Sequence, residues 1–76
     1  MISVKFKCKN NNLDTVFDEL SKLSESIIVS IKEDEIYSEY NGFYDGEWSD
    51  KPLYDSILNK LRANGLIKCY SIGNMC

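Results

Sequence analysis

Proton transfer and nucleophilic attack at neutral pH usually rely on histidine, and this chain of 76 residues contains none. Ser-His and Cys-His pairs are excluded with it, as is the commonest metal ligand. Three cysteines, Cys8, Cys69 and Cys76, form no C-x-x-C pair, so neither a zinc knuckle nor a disulfide framework is expected. Cys8 and Cys69 read as small apolar core residues of strands, and Cys76 as an incidental thiol. Two carboxylate sets could hold a hard cation: Asp34, Glu35 and Glu39, or Asp45, Glu47 and Asp50. The second set lacks the spacing of an EF-hand loop, and no phosphate-cradling glycine motif is present. The expectation is a protein without catalytic residues, metal or cofactor.

The residues that do stand out are acidic and aromatic together. Between Glu33 and Asp55 lie eight acids (Glu33, Asp34, Glu35, Glu39, Asp45, Glu47, Asp50, Asp55) against Lys51, a local net of -7. The other four acids and eight bases give +4, which restores the total of -3. The same segment holds Tyr37, Tyr40, Phe43, Tyr44, Trp48 and Tyr54, six of the nine aromatics. Tyr and Trp are the usual anchors of protein interfaces, and carboxylates around them steer a basic partner. The candidate partner-binding residues are therefore Glu35, Tyr37, Glu39, Tyr44, Asp45, Glu47, Trp48 and Asp50. A plainer role is open for some of them. Lys5, Lys7 and Lys9 on a neighbouring strand would neutralise Glu35 and Glu39, and Trp48 could fold onto the core as a lid.

These residues must be positioned by short elements. Val4, Phe6 and Cys8 alternate with Lys5, Lys7 and Lys9, which predicts a strand over 3–9. Asn10-Asn11-Asn12 is a turn ending in a helix cap, and Leu13, Val16, Phe17, Leu20 and Leu23 give one helix stripe. The β-branched run 27–32 predicts a buried strand, followed by a charged reversal and a strand over 36–40. Asn41-Gly42 reads as a type I′ hairpin turn, after which 43–48 is extended. Tyr40 and Tyr54 are expected in the core. Pro52 suits the first turn of a second helix carrying Leu53, Tyr54, Ile57, Leu58 and Leu61, and Asn64-Gly65 stops it. A last strand is expected over 66–72.

The order β-α-β-β-α-β over a single domain, 1–76, predicts an α+β ferredoxin-like two-layer sandwich, an antiparallel sheet with two helices on one face. The alternative is a β-meander plus two helices, which the Asn41-Gly42 turn would create. In length and in its acidic segment 33–55 the chain resembles small phage-encoded inhibitors of host defence, anti-CRISPR proteins among them. That resemblance implies a non-enzymatic inhibitor that imitates nucleic acid and binds a basic surface of its target. Two other readings remain: an RRM-like domain that binds single-stranded nucleic acid, and a homodimeric structural or adaptor domain. Acidity argues against nucleic acid, and the absence of a long apolar run argues against a membrane and for the cytoplasm.

Overall fold

A computed structural model describes residues 1–74, apart from the side chains of Ser26 and Asn74, so the reading of Cys76 falls outside the described residues. The elements are β1 (Ile2–Lys9), a 3-10 turn (Asn10–Asn12), α1 (Leu13–Ser21), β2 (Ser26–Glu33), β3 (Tyr37–Tyr44), a second 3-10 turn (Trp48–Asp50), α2 (Lys51–Ala63) and β4 (Cys69–Asn74). The protein is α+β. Its four strands form one antiparallel sheet in the order β2-β3-β1-β4. Among the described residues no helix is long and apolar enough to cross a membrane.

The period-two pattern of β1 determines which side of the sheet is inside. Ile2, Val4, Phe6 and Cys8 are buried together with Val16 and Leu20 of α1 and Tyr54, Leu58 and Leu61 of α2. Both helices therefore cover the same face, and the lysines of β1 lie on the other. Cys8 is fully buried, and that burial pushes its thiol pKa up, so it behaves as a core methyl-sized residue. Cys69 departs from expectation: it is exposed at the start of β4.

β3 is the main correction. Asn41-Gly42 makes no turn; both residues lie within a continuous eight-residue strand, paired with Lys5 and Val4 on one side and with Ser30 and Ile28 on the other. Gly42 does not have positive φ; Gly65 is the only described residue that does. The requirement for glycine comes from packing. The buried ring of Tyr40 leans along the strand, so a Cβ on Gly42 would overlap the Tyr40 hydroxyl and ring. Tyr40 cannot swing away, because it stacks on Phe6 at 4.7 Å and meets Phe17 edge-on at 6.0 Å. With no hairpin at 41–42 there is no meander, and 43–48 is the end of β3 followed by an irregular bend.

The other boundaries have local causes. Gly65, at φ 76°, closes α2 with two reversed bonds, from its own N–H to the Arg62 carbonyl (3.0 Å) and from the Leu66 N–H to the Leu61 carbonyl (2.9 Å). β4 starts at Cys69 rather than Leu66, because adjacent Leu66 and Ile67 both pack inward, which strand alternation does not allow. α1 ends at Ser21, two residues before the last apolar residue of its stripe, though Leu23 still packs on the core.

β2 departs furthest from expectation. It is the edge strand, and Ile27, Ile28, Val29 and Ile31 are 40 to 58% exposed. Ile28 and Ile31 pair with Gly42 and Tyr40, so they belong to the helix-covered face, yet the helices do not close over them. α1 has nine residues, about 13 Å of helix, against about 26 Å for an eight-residue strand.

We predict that Gly42→Ala lowers stability by about 1 to 3 kcal/mol in urea unfolding, the cost of overpacking a filled core. A neutral substitution would show that Tyr40 has room to move.

Candidate interaction surfaces

The structure disperses the eight candidate residues. Glu35 lies in the β2–β3 connection and Tyr37 at the start of β3. Asp45, Glu47, Trp48 and Asp50 follow the far end of that strand, so about 25 Å separates the two groups. Glu39 lies between them on the helix-free face of the sheet. Tyr44 does not reach a surface at all: β3 runs on through Gly42 and carries it inward, where it is fully buried with its ring 5.6 Å from that of Tyr54. It belongs to the core rather than to a docking patch.

The acids after β3 are partly occupied with local structure. The Glu47 carboxylate accepts from the Asp50 backbone N–H, and the Asp50 carboxylate accepts from the Glu47 N–H at 3.1 Å. This reciprocal cap starts the turn that leads into α2 and holds Trp48, 44% exposed, at the surface. Trp48 is thus not a closed lid. No ion pair within 4 Å is formed by Asp45, Glu47 or Asp50 among the described residues.

Glu35 has a neighbour of different use. The Asp34 carboxylate accepts hydrogen bonds from the backbone N–H groups of Tyr37 (2.6 Å) and Ile36 (2.9 Å). These two bonds, Tyr37 first, hold its carboxyl below the usual aspartate range. Asn10 then ties the connection to the end of β1. Its backbone N–H donates to the Ile36 carbonyl (2.9 Å), its amide donates to the Asp34 carbonyl (3.0 Å), and its amide oxygen accepts from buried Ser38 (2.6 Å). Nothing in the Asn10-Asn11-Asn12 run marks one asparagine as the tie, so this role was not readable.

The helix-free face is cationic. Of the expected lysine–glutamate pairs, Lys7–Glu39 forms, at 3.8 Å. The register sets Lys5 opposite Asn41 and Lys9 opposite Tyr37, and Glu35 lies outside the sheet. Lys5, Lys7 and Lys32 line a shallow concavity of about 420 Å³ together with one acid, Glu39, and with Ser30 and Asn41. Tyr37 lies on the same face, its ring flanked by the ammonium groups of Lys7 (5.3 Å) and Lys68 (5.2 Å).

The third surface is the β2 edge, whose β-branched sequence predicts a buried strand and which the structure leaves exposed. Its aliphatic centre is rimmed by acids: Glu25 precedes the strand, and Glu33, Asp34 and Glu35 end and follow it. Asp45 joins the first rim, since its backbone N–H donates to the Glu25 carbonyl at 3.3 Å. Lys32 is the only base on the strand. An apolar centre with a charged rim is the layout of a protein interface. The signal for it was in the sequence, as three consecutive aliphatics at 27–29 with no polar alternation, a pattern that a two-sided exposed edge shares with a buried strand. Comparison with protein-family models and with curated proteins gives no match for the chain.

Asp34 contributes to folding above its own titration range. Its folded pKa is depressed, so its contribution is present above the unfolded value and is lost as pH falls through the folded one. We expect its carboxyl to titrate below the ordinary aspartate range by NMR, and Asp34→Ala to speed amide exchange at Ile36 and Tyr37. Unchanged exchange at both amides would mean that the connection is held by Asn10 alone.

Proposed function

We propose that the protein is a non-catalytic protein-binding module that seats on an apolar surface with basic flanks on another protein. The observation that carries this reading is the β2 edge, where Ile27, Ile28, Val29 and Ile31 stay 40 to 58% exposed between acidic ends. A protein of this size hides such a patch if it has no use for it. The acids around it supply orientation and encounter rate, and the half-exposed Trp48 extends the same end of the sheet. A target whose basic flanks normally contact nucleic acid fits this chemistry, which makes inhibition by occupying such a site the activity proposed. The strand order β2-β3-β1-β4, with both helices in one core layer, supports a ferredoxin-like reading of the fold.

A peptide of about ten residues, with an uninterrupted central run of Val and Ile and with lysines at both ends, tests the docking chemistry. In a ¹⁵N-labelled titration its shifts are expected on residues 26–33 and their neighbours, weakened by salt and by Glu33→Lys. A glutamate-ended peptide should not bind. Equal binding of the two peptides, or none, would remove the reading.

A second reading, single-stranded nucleic acid on the helix-free face, is favoured by the concavity that Lys5, Lys7 and Lys32 line. Labelled single-stranded RNA at low salt should then bind, and Lys5→Glu with Lys32→Glu should abolish it. RNA that fails to bind the unaltered protein discards this second reading.

A further inference from the structure

The protein-binding reading leaves open how a partner meets β2, and the distribution of the exposed aliphatics decides it. Ile27 pairs with Phe43 and lies on the helix-free face, whereas Ile28 and Ile31 pair with Gly42 and Tyr40 and lie on the helix-covered face. A partner that packed against one face would leave the other aliphatics wet. A strand added along the edge places its own alternating side chains on both faces at once and covers both sets. It also satisfies the backbone groups that β2, as the terminal strand, leaves unpaired on its outer side.

We propose that β2 takes an extended segment of a different protein by strand addition, the segment being aliphatic at its centre and basic at both ends. The choice of a different protein follows from charge. Bringing two copies together antiparallel about a two-fold axis, with faces matched, sets Ile28 beside Ile31 of the other copy. It also sets Glu25 towards Asp34 and leaves four acidic groups facing one another at the two ends, where like charges are destabilising. Lysine or arginine at the ends of the incoming segment meets Glu25 and Asp45 at one end and Glu33, Asp34 and Glu35 at the other. The register shift between Ile28 and Ser30, which leaves Val29 outside the pairing with β3, breaks the ladder near its middle. The incoming segment therefore pairs in two short stretches, 26–28 and 30–33, which limits the registers it can adopt.

This inference rests on the protein-binding reading, and backbone N-methylation separates the two. The lysine-ended peptide is made with N-methyl groups on one set of alternate residues, and again on the other set, so that charge and side chains are kept. One set points its amides at β2, and its methylation should weaken binding by about tenfold or more, while the other set should bind as the parent does. Ile31→Thr, at an exposed position, should weaken the parent peptide without unfolding the protein. If both methylated peptides bind like the parent, strand addition is wrong while protein binding stands; if the parent itself does not bind, both fall. Sedimentation should show a monomer. A dimer dissociated by Ile31→Lys would assign the edge to a second copy and overturn the choice of partner.

Discussion

Tyr40 laid across Gly42 is the contact on which the sheet depends. A side chain at 42 would lift that ring from Phe6 and Phe17, and with it the central stack between sheet and α1. Because position 42 is empty, β3 continues through it for eight residues and pairs on both sides, with β1 and with β2, as β1 does with β3 and β4. The Tyr40 hydroxyl then lies 3.3 Å from that of Tyr44, itself fully buried, and each oxygen finds a polar neighbour inside the core. β3 thereby fixes the positions of the three surfaces: the concavity on one face, the acidic connections at its two ends, and β2 along its far side.

Much of this was legible because it rests on local rules. Val4, Phe6 and Cys8 alternate with lysines, and the strand they predict is present with the same face inward. Pro52 at the start of α2 and Asn64-Gly65 at its end behave as their backbone chemistry requires. Asn41-Gly42 carries the signature of a turn and yet lies inside β3, for an equally physical reason. Glycine serves a turn through its freedom in φ, but it also serves a crowded strand through its missing side chain, and only the tertiary neighbour distinguishes the two uses. That neighbour, Tyr40, is two residues away in sequence, but whether it leans toward Gly42 depends on Phe6 and Phe17, which come from other elements.

The site was less legible than the fold. The acidic segment is continuous along the chain, but a strand of eight residues runs through its middle and parts its acids into two groups. Alternation then removes Tyr44 to the core while leaving Tyr37 and Glu39 on the helix-free face. Exposure of β2 depends on the length of α1, which stops at Ser21 although its apolar stripe continues to Leu23. Aliphatic content alone cannot say whether a helix nine residues long will cover a strand of eight.

An uncovered aliphatic edge is ordinarily an aggregation hazard, and proteins blunt such edges with charges, lysines and bulges. β2 carries all three: acids at each end, Lys32 within it, and the irregularity at Val29. These features work against self-pairing without removing the apolar centre, as they would if protection were their sole effect. Substituting one or two of the four aliphatics would protect a free edge more simply, since β2 adds none of them to the buried core. Retaining them while surrounding them with negative charge is what the strand-addition proposal requires of an edge that is to avoid its own copy and accept a basic strand.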